Sequence, residues 1–360
     1  KLLTCHPEMA RLNIYGFILV LVLATARKGE AKVSAVIAFG DSSVDSGNNN
    51  FIPTVARSNF RPYGRDFYGG RATGRFSNGR VPTDIISQGL GLKTALPAYL
   101  DPKYNISDFA TGVCFASAGS GFDPATSDVL SVISLSKELE YYKDYQKRLR
   151  GYLGAKRANQ IVAEALHVIS AGTNDFLENY YTMPDRRSQY SVGEYQDFLV
   201  GIAGKFVRDL YGLGARKVSL GGLPPMGCLP LERTMNFFSG SDCNEMHNKV
   251  ATDFNAKLAG LTVKLNKELA GMKMVFSNPY GAFLNVIQDP SAYGFEVADQ
   301  GCCATGMYEM GYACDQNTDL TCTDADKYVF WDAFHPTQRM SGILVAQLFK
   351  KPLSVFLRGP

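Results

Sequence analysis

From residue 33 onward, short unbroken apolar runs alternate with longer stretches in which apolar residues recur at every third or fourth position. Residues 33–39, 111–116, 166–171, 217–220 and 272–277 read as strands buried on both faces, since a strand with one wet face would alternate. Between the last two runs, Met246, Val250, Phe254, Leu258, Leu261, Leu265 and Leu269 keep helical spacing, and residues 129–149 and 195–210 read as helices too. Strands that alternate with helices predict an α/β fold, a central parallel sheet covered on both faces. No repeat, low-complexity tract or linker divides this stretch, so residues 32–360 read as one domain.

Composition agrees with a large core. Of 360 residues, 46% are hydrophobic and 20% charged, which excludes wholesale disorder. The net charge of +3 argues against a nucleic-acid binder, which needs a concentrated basic surface. Arginines 57, 61, 65, 71, 75 and 80 do recur among Phe and Tyr, but Gly69, Gly70, Gly74 and Gly79 break the stretch, so it reads as a solvated loop.

Residues 1–31 read as a leader. The apolar run 14–24 follows Arg11 and is shorter than the roughly 20 residues a membrane-spanning helix needs. It fits the core of a secretory signal starting at Met9, with Ala24-Thr25-Ala26 or Gly29-Glu30-Ala31 as cleavage site. Arg27 and Lys28, just after the run, could instead hold it as a short anchor. The expectation is cleavage, no stable membrane span thereafter, and an extracellular or cell-wall protein. Cys5 lies in the leader. The other cysteines, 114, 228, 243, 302, 303, 314 and 322, form no C-x-x-C pair and have no partnering histidine spacing, so disulfides are expected rather than zinc. Their number is odd, and Cys114, inside an apolar run, is the expected free thiol. The pairing stays open, with Cys228–Cys243 a candidate local bridge. Asn105-Ile106-Ser107 is the one glycosylation sequon, as suits an extracellular surface loop.

Ligands of open parallel sheets bind beyond the carboxyl ends of the strands. The first strand runs into Gly40-Asp41-Ser42, a turn that can present a hydroxyl at the sheet edge, although such triplets are commonly plain turns. The Gly-x-Ser-x-Gly elbow of α/β-hydrolases is absent from the chain. A nucleophilic serine needs a general base, and the chain has four histidines. His6 lies in the leader, His167 in an apolar run that reads as core, and His247 beside the apolar stripe of the long helix as a surface or packing residue. His335 remains, on a turn before the final helix. Asp332, three residues earlier, could orient its imidazole, or could simply cap that helix with His335 incidental; spacing alone does not choose. After the second strand Gly119 could offer a backbone N–H to an oxyanion, and after the third Asn174 could offer a side-chain N–H. Both also fit plain strand-to-helix turns, with Asn174 as a cap.

Taken together, the blocks holding Ser42, Gly119, Asn174 and His335 resemble, in order, those of plant-type GDSL esterases/lipases of the SGNH hydrolase superfamily. The resemblance covers residue 33 to the C-terminus and extends to residues 73–80, 222–228 and 322–328. It implies a flavodoxin-like three-layer α/β/α fold and a Ser42–His335–Asp332 triad. It also implies an oxyanion hole from the Ser42 and Gly119 amides and the Asn174 side chain, and neither metal nor organic cofactor. The implied activity is hydrolysis of carboxylic esters, lipid or acylated cell-wall type, through an acyl-enzyme. Transfer of the same acyl group to an alcohol in cutin or wall-polymer assembly, a non-catalytic lipid- or glycan-binding relative, and an interfacial lipase are the competing readings. Two positions depart from the family pattern. Ser43 stands where Leu is usual, and Cys114 where the Gly119 block often has Asn, a change expected to loosen a hydrogen bond under the oxyanion loop.

Overall fold

The structure, a computed structural model, describes residues 33–236, 242–315 and 320–357. The leader, with Met9, Cys5, His6 and both cleavage sites, lies outside the described residues. Five parallel strands form the central sheet: β1 (Val36–Gly40), β2 (Gly112–Cys114), β3 (Leu166–Ser170), β4 (Lys217–Gly221) and β5 (Lys273–Ser277). Their order is β2-β1-β3-β4-β5, the doubly wound order of flavodoxin-like sheets, whose switch point lies between β1 and β3. The loops leaving those two strands at their carboxyl ends carry Ser42 and Asn174.

The unbroken apolar runs follow from burial on both faces. In β1, Ile37 and Phe39 point into one core layer and Val36 and Ala38 into the other. The first layer packs against α2 (Leu135–Leu153), α3 (Ala155–Glu164), α4 (Val192–Gly212) and α5 (Glu245–Glu268). The second meets Ile86 of α1 (Pro82–Gly89), Val345 of α7 (Gln338–Lys350), and Leu353 and Phe356. A further helix, α6 (Tyr280–Gln288), follows β5.

The helix expected over 129–149 is divided. A short helix ends at Val129, and α2 begins only at Leu135. Ser131 takes a positive φ of 52°, and the Ser134 hydroxyl caps α2 by accepting from the Lys137 amide. The β-branched and serine content of residues 131–134 favours such a break. A small parallel pair, β6 (Val297–Gly301) and β7 (Tyr328–Phe330), escapes the pattern because β6 carries Asp299 and Gln300 rather than an apolar run. It matters, since β7 leads directly into Asp332 and His335. Disulfides join Cys228–Cys243, Cys302–Cys322 and Cys303–Cys314, while Cys114 is free and buried. Among the described residues, no helix is long and apolar enough to cross a membrane.

Candidate active site

The turn after β1 depends on a close approach. Gly40 has φ +128°, and a Cβ there would lie 1.8 Å from the Ser170 carbonyl oxygen, so only glycine lets the chain swing beside β3. The Asp41 amide then donates to Ser170 O, at 2.9 Å, and Ser42 follows at the sheet edge. From the other end of the chain, β7 delivers a tight turn in which the amides of Phe334 and His335 donate to Asp332 Oδ1 at 2.9 and 2.7 Å. Asp332 therefore does not cap α7, a role that Thr337 takes by accepting from the Met340 amide.

This brings three of the sequence-nominated residues into one line. His335 Nε2 lies 2.8 Å from Ser42 Oγ, and His335 Nδ1 lies 2.8 Å from Asp332 Oδ2. Ser42 and His335 are each 6% exposed, and Asp332 is fully buried. The carboxylate accepts four hydrogen bonds, the fourth from Tyr63 Oη to Oδ2 at 2.7 Å. Burial, with Asp332 as neighbour, holds the Tyr63 hydroxyl far above its usual titration range, so it stays a donor. The Phe76 ring lies 4.9 Å from the imidazole, centroid to centroid.

Gly119 and Asn174 lie on the loops that follow β2 and β3. Gly119 has φ +82° in the loop after β2. Neither its amide nor that of Ser42 has an acceptor among the described residues. Asn174 donates one side-chain N–H to Ser120 O at 2.9 Å, which leaves the other N–H for a ligand. Asn174 precedes a π-helical turn, Asp175–Tyr180, a feature common at functional sites. Asn105, exposed, caps a short helix away from this cluster.

Several residues that organise the site had no role in the sequence reading. Asn48 donates from Nδ2 to Cys114 O and Ala116 O, at 3.0 and 2.8 Å, and Asn49 donates to Ala118 O at 2.9 Å. Asp45 Oδ2 accepts from the Ala118 amide at 3.1 Å. These bonds tie the loop of Ser42 to the loop of Gly119, so the support expected to weaken at Cys114 is supplied by Asn48 and Asn49. The Cys114 thiol itself donates to Val44 O at 3.2 Å, and burial pushes its pKa up to about 12. Glu138 of α2 accepts from the Gly40 amide at 2.9 Å; burial raises its carboxyl well above the usual range, with Asp45 and Asp41 adding to the rise. Its signal was present in the chain: an acid sits inside the apolar stripe of α2, between Leu135 and Leu139.

The family-like segment 73–80 is structural. Arg75 forms a buried bidentate pair with Asp84, at 2.7 and 2.8 Å, and donates to Ser46 O, which pins the loop of Ser42 from below. The two remaining histidines serve packing. His167 is fully buried against the Tyr142 hydroxyl, and burial lowers its pKa to about 4. His247 stacks on Tyr181 at 4.2 Å beside Glu232. Among the described residues, no group of His, Cys, Asp and Glu is arranged to hold a metal ion. A cavity of about 570 Å³ with mostly apolar walls opens at Ser42 and His335.

The family model of GDSL-like lipases/acylhydrolases matches residues 36–348. One curated GDSL esterase/lipase of Arabidopsis thaliana is 57% identical over 345 residues, covering 96% of this chain and 99% of that one. A second from the same plant is 58% identical over 350 residues, covering 97% and 100%. With its parallel sheet flanked by helices and a match over nearly its whole length, the chain belongs to the GDSL esterase/lipase family of carboxylic ester hydrolases.

Proposed function

We propose that the chain is a secreted serine esterase working through an acyl-enzyme. His335 Nε2 takes the proton of Ser42 Oγ as the oxygen attacks the ester carbonyl, and Asp332 stabilises the imidazolium. The carbonyl oxygen, now negative, is received by the Ser42 and Gly119 amides and the free N–H of Asn174. His335 then gives the proton to the departing alcohol oxygen, and water, deprotonated by the same nitrogen, releases the acid. The observation that carries this reading is the unbroken chain from Ser42 Oγ through His335 to Asp332, at 2.8 Å for each step. Secretion is supported by three disulfides, the signal-like leader and the exposed sequon at Asn105. The test is hydrolysis of p-nitrophenyl acetate, butyrate and palmitate by wild type beside Ser42→Ala, both made through an oxidising secretory route. Turnover that vanishes in the variant supports the reading. A folded wild type inert on all three counts against it, and an added alcohol that collects most of the acyl group would make the protein a transferase.

A further inference from the structure

Away from Ser42 the cavity becomes a slot between the central sheet and α7. Side chains two apart on a strand share a face, so Val168 and Ser170, Ser219 and Gly221, and Ser277 all look toward α7. The strand register sets Val168 beside Ser219 and Gly221 beside Ser277. Near β1 this face is filled by the apolar packing of α1 and α7. Toward the carboxyl ends of β4 and β5 it carries the small residues Ser219, Gly221 and Ser277, with Val275 in register with Ser219, and the cavity lies between them and Leu344, Leu348 and Lys351. From Gln338 to Lys351 a helical path rises about 20 Å, the reach of a long acyl chain. An acyl group stays bound to Ser42 while the alcohol leaves and water enters. The roofed slot therefore suits the acyl chain, and the solvent side suits the alcohol.

The hydroxyls on the floor of the slot are not equivalent. Ser43 donates to Asp41 Oδ1 at 2.6 Å and lies 2.8 Å from Ser170 Oγ. With the Ser43 proton on Asp41 and the Ser170 proton on Ser43, both are used. Ser219 Oγ and Ser277 Oγ lie 2.7 Å apart, and neither has another partner among the described residues. One proton closes that pair and the other has no protein acceptor, although the two residues are only 3% and 5% exposed. Facing a plain methylene chain, this donor would stay buried and unpaired, which is unfavourable. An oxygen at that depth on the chain would receive it.

We propose that the Ser219–Ser277 pair selects acyl chains bearing a hydroxyl or other oxygen part-way along their length. This rests on the esterase reading and deepens it. The test uses p-nitrophenyl stearate and a series of hydroxystearate esters with the hydroxyl moved along the chain. The readout is the ratio of kcat/KM, hydroxylated over plain, for wild type, Ser219→Ala, Ser277→Ala and the double variant. At the best position the wild-type ratio should be on the order of fivefold, the usual gain from one hydrogen bond, and should fall toward unity in the double variant. Because each ratio compares two substrates on one protein, partial unfolding of a variant does not change it. A wild type without preference at any position, or a preference that survives loss of both hydroxyls, overturns the proposal while leaving the esterase intact. A folded wild type that hydrolyses none of the esters overturns both.

Discussion

Replacing Tyr63 by Phe tests how the acid of the candidate triad is held. The fully buried Tyr63 hydroxyl donates to the buried Asp332 Oδ2 at 2.7 Å and accepts from the half-buried Gly311 amide at 2.8 Å. The substitution deletes one hydrogen bond to a buried carboxylate and strands one amide. A hydrogen bond to a charged group is worth about 1.5–3 kcal/mol, so a loss near 2 kcal/mol in unfolding free energy is expected. Catalysis should suffer less. Asp332 keeps the amides of Phe334 and His335 and its contact with His335 Nδ1, so both its charge and its orientation remain. The expected cost in kcat/KM is about tenfold at most, equal to roughly 1.4 kcal/mol of barrier. Asp332→Asn, which removes the charge, should cost on the order of 10⁴. Urea unfolding and steady-state hydrolysis of a p-nitrophenyl ester, run on the same preparations, separate the two effects. A thousandfold loss of turnover at unchanged stability would show that Tyr63 touches the reacting atoms rather than holding Asp332. No change in either quantity would equally refute the hold on Asp332.

Three further outcomes follow from the geometry. Asn174→Ala should lower kcat by roughly 10²–10³ with a much smaller change in KM, since its free N–H meets charge that develops only in the transition state; a near-normal kcat would remove it from the oxyanion hole. Mild reduction should abolish ester hydrolysis before the protein unfolds, because the Cys302 and Cys303 amides donate to Phe330 O and Trp331 O at the entrance of the Asp332 turn; activity that outlasts cleavage of both bridges, read by thiol alkylation, contradicts this. Thermal stability should fall as pH rises from 6.5 to 8. Burial raises Asp45 from 3.8 to about 6, Asp175 from 3.8 to about 7 and Glu178 from 4.5 to about 7. Their contribution is complete below the unfolded values and is lost as pH passes the folded ones, whereas His167, lowered to about 4, opposes them only below about 6.5. A melting temperature that is flat or rises over that interval runs against this account.

The strands of the sheet were legible because burial on both faces leaves an unbroken apolar run, as in β1 and β3. The long helix α5 was legible because it keeps one apolar stripe through six turns. The pair β6–β7 was not, since Asp299 and Gln300 interrupt the apolar run of β6 and the three residues of β7 are too few to show a period. Ser42, Gly119, Asn174 and His335 could be named as residues with chemistry after successive strands, whereas the groups that hold them could not. Tyr63 lies 269 positions from Asp332, and Asn48 lies 66 from Cys114, distances over which only the folded topology decides what meets. The role of Ser43 was hidden for the same reason: its partner, Ser170, closes a different strand. Asp332 and His335 illustrate the converse limit, because a turn that presents a histidine and one that merely caps a helix share the same spacing.

Covalent labelling tests, without reference to any substrate, whether Ser42 is a nucleophile activated by His335. Folded protein is treated with a fluorophosphonate, digested and mapped by mass spectrometry, with His335→Ala alongside. One phosphonyl adduct is expected, on the peptide that contains Ser42, with labelling slowed by several orders of magnitude in the His335 variant. A folded wild type that takes up no label, carries it on another residue, or labels equally fast without His335 would contradict that activation.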